Sequence, residues 1–171
     1  MTQPTLFAEP FEYQSVHLEP SRWQRQMAAA RAFYLSVPDD DILHGFRRAA
    51  GQPSPGKPLG GWCGENSDTV FGQWLSGMLR LSRMLRDDAM RRKAVGLFEA
   101  WALTVGPDGD CRMLHYSFDK LVGGLVDLSQ YAGHAAALPV LERVVGHAMR
   151  TLYNDNRWPN AVVVRVTGVA G

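Results

Sequence analysis

The chain has 171 residues with 46% hydrophobic content, which is enough for one domain with a substantial core. Its 18 basic and 17 acidic residues give a formal net charge of +1, which argues against long-range attraction to nucleic acid or to an anionic membrane. The two cysteines, Cys63 and Cys111, have neither a zinc-binding spacing nor the density of a disulfide framework.

The N-terminal residues 1–20 carry no targeting pattern in the sequence as given. They lack a basic start followed by an apolar run, and no later stretch approaches the roughly 18 uncharged apolar residues that span a membrane. We therefore predict a soluble, cytoplasmic protein without a membrane segment. Residues 1–20 are interpreted as a proline-punctuated arm in front of the folded domain.

The first part of the folded region is predicted to be helical up to a proline- and glycine-rich loop. Ser21 and Gln24 form a capping-box pattern that opens a helix ending before Pro38. Residues 39–51 are predicted to form one short helix with an acidic first turn, and residues 52–61 can only be a loop. The predicted apolar stripe of the first helix consists of Trp23, Met27, Ala30 and Tyr34.

The second part of the folded region is also predicted to be helical. Apolar side chains recur at spacings of three and four over residues 70–85, which predicts the strongest helix, capped by Asn66 or Ser67. Ser117 is predicted to cap a later helix that Gly133 terminates. The three helices after the strongest one are predicted over 87–105, 117–132 and 135–152.

The predicted class is all-α, a succession of antiparallel helical hairpins. Residues 161–171, AVVVRVTGVAG, break this pattern because they are β-branched and nearly uncharged. They form either a short terminal strand or a foreign tail from a truncated or frame-shifted gene. We therefore divide the chain into an arm over 1–20, a helical domain over 21–160 and an atypical tail over 161–171.

Four local strings stand out within the helical domain. They are FYLSVPDDDILHGFRRAAG, GGW, FGQWLSG and YSFDKLVGGLVDLSQYAGHAAAL, which begin at Phe33, Gly60, Phe71 and Tyr116. In order and spacing they resemble the β-L-arabinofuranosidases and related six-hairpin glycosidases, a family formerly of unknown function. The resemblance covers residues 21–160 and implies the N-terminal part of an α/α toroid that hydrolyses arabinofuranosyl or related glycosidic bonds.

The resemblance also implies where catalysis takes place in the family. A zinc-bound cysteine nucleophile near glutamates belongs to the later part of that fold, and neither Cys63 nor Cys111 lies in a matching string. We therefore expect no zinc or other cofactor in this chain, although zinc is implied in a full-length relative. The catalytic residues remain unassigned, and the chain is expected to be incomplete and inactive alone.

Six residues are predicted to bind carbohydrate because they lie near the starts of helices that would surround the mouth of the ring. Carboxylates there accept paired hydroxyl hydrogen bonds, and a tryptophan packs on a sugar face. At Asp119 the chain departs from the family, whose members often have histidine. The predicted sugar-binding residues are Trp62, Glu65, Asp68, Gln73, His115 and Asp119.

Three of these six residues, and the neighbouring Trp74, are also given a specific structural interpretation. Asp68 and Asp119 would suit the positive end of a helix, where a carboxylate accepts backbone N–H groups. His115 would suit an exposed turn, and Trp74 is assigned to the apolar core because it lies on the apolar stripe of its helix.

Two rival functions, and self-association of the chain, are also predicted from the same sequence. The arginines over residues 80–92 form either a basic ridge for nucleic acid or, with the interleaved Asp87 and Asp88, a solvated face, which we favour. The main alternative to a glycosidase is a non-catalytic helical scaffold that binds another protein. An incomplete ring would also expose an apolar edge and self-associate, and the residues expected at that edge are Trp74, Met78, Leu121 and Leu125.

Overall fold

All regular secondary structure in the described residues is helical. The computed structural model describes residues 17–61, 68–113 and 115–151, and no strand occurs within them. The predicted all-α class is therefore confirmed for this part of the chain. The helices are α1 (Arg22–Ser36), α2 (Asp39–Ile42), α3 (His44–Ala49), α4 (Asp68–Leu85), α5 (Asp88–Ala102), α6 (His115–Ala132) and α7 (Ala137–Thr151).

Helix α1 begins where its cap was predicted. The Ser21 hydroxyl accepts a hydrogen bond from the Gln24 backbone N–H at 3.3 Å, which satisfies one of the free donors of the first turn. The helix ends at Ser36, two residues before Pro38. The single helix predicted over 39–51 is wrong, because the chain divides at Leu43 into α2 and α3.

Helix α1 lies on the surface of the domain and contains no buried residue. The predicted stripe is wrong at its start, since Trp23 is 57% exposed. The other three stripe residues are partly buried. Polar contacts help to hold the helix in place: Arg31 forms an ion pair with Asp87, and Lys93 Nζ donates to the Val37 carbonyl at 2.6 Å.

The core is built mainly by four of the five long helices, α4, α5, α6 and α7, with α3 adding an aromatic contact. Phe46 of α3 packs edge-on against Phe71 at 5.0 Å between ring centroids, and Phe71 lies 5.6 Å from Trp101. These contacts join three helices that are distant in sequence. The buried residues of the long helices include Phe71, Leu75, Met78, Leu79, Met90, Ala94, Leu97, Phe98, Trp101, Leu121, Leu125, Leu128, Val140, Leu141 and Val144.

Helices α4 and α6 approach each other most closely, at two glycines. A Cβ on Gly72 would lie 2.2 Å from the Lys120 carbonyl oxygen, and a Cβ on Gly124 would lie 2.6 Å from the Gly72 carbonyl oxygen. The two helices run in the same direction, as shown by the residue numbers of their contacts, which increase together along α4 and α6. The contacting positions are 72 with 120 and 124, 76 with 127, and 80 with 131.

The ends of α6 confirm one prediction and correct another. Ser117 does not cap the helix, which begins two residues earlier at His115, and Ser117 is buried. Gly133 does terminate it, with φ +64° and a hydrogen bond from its N–H to the Ser129 carbonyl at 3.1 Å. This left-handed conformation favours glycine because it has no Cβ.

The residues predicted to form an exposed apolar edge are not exposed. Met78, Leu121 and Leu125 have no accessible surface, and Trp74 is partly buried against the core. That prediction is wrong because these side chains form part of the hydrophobic core, which is covered where α4 packs closely on α6. Self-association itself remains a prediction.

Several predicted features lie outside the described residues. These are the cap at Asn66 or Ser67, the first sixteen residues of the arm and the tail over 161–171. Among the helices that are described, none combines the length and apolar character needed to cross a membrane.

Candidate functional site

An open groove of about 630 Å³ runs between the N-terminal halves of α4 and α6. Its wall contains four glycines: Gly72 and Gly124 are buried where α4 packs on α6, Gly77 is partly buried and Gly123 is exposed. The lining residues are Gly72, Gln73, Ser76 and Gly77 from α4, and Asp119, Lys120, Val122, Gly123 and Gly124 from α6.

The groove brings together two residues that the sequence predicted to bind carbohydrate. Gln73 is exposed on α4, and the Asp119 side chain is 30% exposed on α6. Asp119 Oδ2 accepts a hydrogen bond from Lys120 Nζ at 3.0 Å. Because the groove combines an amide, a carboxylate and an ammonium group, it offers both donors and acceptors to a ligand with hydroxyl groups.

The position of Asp119 argues against the helix-capping interpretation. Helix α6 begins at His115, so Asp119 is its fifth residue and lies in the second turn. Only the first four backbone N–H groups of a helix lack partners inside it. The Asp119 carboxylate therefore faces the groove and Lys120 instead of capping the helix.

An ion pair between the exposed Arg80 and the buried Asp127 fixes α4 against α6 next to the groove. The Asp127 side chain is 4% exposed and is held by two hydrogen bonds from Arg80, at 2.7 Å from Nε and 2.9 Å from Nη2. Ser76, which lines the groove, donates a further hydrogen bond to Asp127. These bonds set the register of the two helices and hence the relative positions of Gln73 and Asp119.

The Arg80 contact to Asp127 was missed by sequence reasoning. Arg80 was grouped with the basic ridge, although its hydrogen bond to Asp127 raises the pKa of the guanidinium and its charge is directed at α6. The available signal was Asp127 itself, an acidic residue between the core positions Leu125 and Leu128. A buried carboxylate requires a cationic partner, but the sequence does not identify which one.

The rest of the basic ridge is partly neutralised by nearby acids. Arg91 Nε lies 3.2 Å from Asp88, and Arg92 lies 3.8 Å from the other oxygen of the same carboxylate. These are exposed pairs one helical turn apart. They agree with a solvated face as the simpler interpretation of this helix.

The other four predicted site residues cannot be placed in the groove by their side chains. Trp62 and Glu65 lie outside the described residues. Asp68 and His115 are the first residues of α4 and α6, and only their backbones are described. Because the two helices run in the same direction, both of these positions lie at the end of the pair where the groove is found.

Cys111 does not have the surroundings of a zinc-bound thiolate. It is a buried free cysteine, and burial raises the pKa of its thiol to about 11, so the thiol stays protonated near neutral pH. Within residues 17–61, 68–113 and 115–151, no group of three or more histidine, cysteine or acidic side chains is arranged to hold a metal ion. The zinc centre stays a prediction for a full-length relative, in the later part of the fold.

Comparisons with family models, with curated proteins and with solved structures found no match to this chain. The resemblance to six-hairpin glycosidases therefore remains a prediction.

Proposed function

We propose that this chain is the sugar-binding part of a glycoside hydrolase that resembles the β-L-arabinofuranosidases. The observation that carries the proposal is the meeting of Gln73 and Asp119 in one groove. Gln73 belongs to the third of the four strings and Asp119 to the fourth, and the two strings are separated by a complete helix. They were selected as sugar-binding residues independently of any contact between them.

The shape and chemistry of the groove suit a sugar ring. Its volume of about 630 Å³ lies within the roughly 300–1,000 Å³ of small-molecule sites. The exposed Gly123, with no atom within 4 Å of an added Cβ, leaves room for a ring against the α6 backbone, and the amide of Gln73 and the carboxylate of Asp119 would orient its hydroxyl groups.

The helix arrangement is also compatible with a toroid. In such a ring the inner helices run in one direction and the outer helices return in the other. Helices α4 and α6 would be inner helices, with α5 and α7 as the outer helices that follow them. The groove would then face the interior of the ring, which is where a toroidal glycosidase binds its substrate.

The groove is proposed to bind a sugar without cleaving it. Glycoside hydrolysis generally uses two carboxyl groups placed on either side of the scissile bond. In the described part of the chain, Asp119 is the only acidic side chain that lines the groove. We therefore assign Asp119 to binding and expect no turnover of aryl arabinofuranosides by this polypeptide, with or without added zinc.

Binding of methyl β-L-arabinofuranoside, measured by saturation-transfer NMR and calorimetry, tests the proposal. Asp119→Asn should weaken affinity about tenfold, because a hydrogen bond to a charged group contributes roughly 1.5–3 kcal/mol. Glu99→Gln is the matched control, since Glu99 is an exposed carboxylate on α5 that contacts His134 and not the groove. It should leave affinity unchanged.

Two results would contradict the proposal. Equal affinity of the Asp119→Asn variant and the unmodified chain would remove Asp119 from the site. Failure of the unmodified chain to bind the glycoside would favour the alternative function, a helical scaffold for another protein.

A further inference from the structure

The loop between α5 and α6 lies against α7, where one histidine faces two carboxylates of the loop. The Nδ1 atom of His147 on α7 lies 3.1 Å from Asp108 Oδ2, and its Nε2 atom lies 3.9 Å from Asp110 Oδ1. The His147 side chain is only 19% exposed. Both ring nitrogens are therefore directed at acidic groups of the loop.

The backbone of the loop also fits closely against α7 at this place. Gly109, with φ +95°, lies so near that an added Cβ would be 2.2 Å from the Arg143 carbonyl oxygen and 3.1 Å from the His147 Cβ. Arg150 Nη2 donates to the Asp108 carbonyl oxygen at 2.9 Å. The His147 side chain therefore acts on a loop that already touches α7 through backbone atoms, where it can tighten or loosen an existing contact.

The other charged groups around the imidazole come from α7 itself. They are Arg143 and Arg150, about one turn on either side of His147. Arg112 of the loop is directed elsewhere, since its Nη1 donates to the Thr104 carbonyl at 2.8 Å. Helix α6 also packs on α7, but its described acidic and basic side chains face α4; they are Asp119, Lys120 and Asp127. The arginines repel a charged imidazole and the loop carboxylates attract it, so the direct contacts with the carboxylates decide which form is favoured.

Protonation changes the number of hydrogen-bond donors that the imidazole offers to the loop. A neutral imidazole has one N–H and donates to one carboxylate at a time, whereas the imidazolium has two N–H groups and attracts both carboxylates. The pKa of the Asp108 carboxyl is lowered, first because it accepts the Asp110 backbone N–H at 3.2 Å and also because it faces His147. Asp108 is therefore charged above about pH 4, while a histidine ordinarily keeps its proton up to about pH 6.5.

We propose that His147 is a proton-dependent clamp, which holds the α5–α6 loop on α7 when the imidazole is charged and loosens the loop when the proton leaves. This inference does not rest on the proposed function. The clamp is closed between about pH 4, where the carboxylates ionise, and about pH 6.5, where imidazole becomes neutral. Its stabilisation is present at acidic pH and is lost as pH rises through the titration of the imidazole.

Hydrogen exchange followed by NMR measures the clamp at two backbone amides of the loop. The Gly106 N–H donates to the Asp110 carbonyl at 2.9 Å, and the Gly109 N–H donates to the Gly106 carbonyl at 3.0 Å. Each exchange rate is divided by the rate of an unstructured peptide at the same pH, which gives a protection factor. Both protection factors should be about fivefold higher at pH 5.5 than at pH 8, because a hydrogen bond to a charged donor is stronger than one to a neutral donor.

His147→Gln removes the titration and keeps a side chain that can donate to a carboxylate. Its loop amides should have equal protection factors at pH 5.5 and pH 8. His134→Gln is the matched control, because His134 Nε2 also lies near a carboxylate, 3.2 Å from Glu99, but outside the loop. That variant should keep the fivefold change at Gly106 and Gly109.

The Asp87 N–H, which donates to the Ser82 carbonyl at 2.8 Å, reports opening away from the clamp and should be equally protected at the two pH values. Equal protection of the loop amides at pH 5.5 and pH 8 in the unmodified chain would overturn the clamp, and this comparison needs no variant. The same pH dependence in His147→Gln, or a parallel change at Asp87, would also overturn it.

Discussion

Replacement of Gly72 by alanine tests the helix contact on which the groove depends. An added Cβ would lie 2.2 Å from the Lys120 carbonyl carbon and oxygen and 2.4 Å from the Leu121 nitrogen. All three are backbone atoms, so no side-chain rotation can relieve the overlap. Helices α4 and α6 would have to separate by roughly 1 Å to restore ordinary van der Waals contact.

The expected loss of stability combines two opposing effects. Overpacking typically costs about 1–3 kcal/mol, and the upper end applies here because backbone must move. Alanine recovers about 1 kcal/mol of helix propensity relative to glycine, which leaves a net loss of about 2 kcal/mol. For a chain of this size the melting temperature should fall by about 6 °C.

Gly96→Ala provides the control for this measurement. Gly96 lies inside α5 with no atom within 4 Å of an added Cβ. That variant should gain about 0.5–1 kcal/mol and melt about 2 °C higher. Melting is followed by far-UV circular dichroism, and urea unfolding supplies the free energy. A rise in melting temperature for Gly72→Ala equal to that for Gly96→Ala would refute the close contact of α4 and α6.

Two further predictions concern titratable groups. The Arg31 side chain, together with the backbone N–H groups of Ala89 and Met90, lowers the pKa of the Asp87 carboxyl. The stabilisation that follows is present above the ordinary aspartate pKa and is lost as pH falls through the lowered value. Asp87→Ala should therefore lower the free energy of unfolding by about 1 kcal/mol at pH 7. The difference in unfolding free energy between this variant and the unmodified chain should shrink below about pH 4. A difference in urea-unfolding free energy that stays constant across this range would contradict the assignment. Burial raises the pKa of the Cys111 thiol to about 11. In a Cys63→Ser variant, where Cys111 is the remaining cysteine, this thiol should therefore react with a disulfide reagent at pH 8 far more slowly in the folded protein than in guanidinium. Equal rates in the two solvents would show that Cys111 is accessible.

The sequence selected Gln73 and Asp119 as candidate site residues but did not predict how they are arranged. Gln73 and Asp119 were selected because they lie near predicted helix starts within strings that resemble a known family. Their meeting in one groove depends on the contact between Gly72 and Gly124, which requires the three-dimensional path of the chain. The Phe33–Trp74 contact likewise joins two helices, and each residue taken alone had been interpreted as part of a family string or of the core.

The sequence by itself determined the features that depend on neighbouring residues. The cap of α1 at Ser21, the start of α5 at Asp87 and the end of α6 at Gly133 were all predicted, because each is formed by hydrogen bonds or backbone angles within a few residues. The all-α class followed from the spacing of apolar side chains, which is also a local property.

Only the tertiary structure decided which helix faces were covered. Trp23 lies on the predicted apolar stripe but is exposed, while Met78, Leu121 and Leu125 were expected at an open edge and are buried. Periodicity gives each helix an apolar face but does not specify the helix that will cover it. The pairing of Arg80 with Asp127 has the same origin, because a buried carboxylate needs a cation and only the close packing of α4 on α6 determines which arginine reaches it.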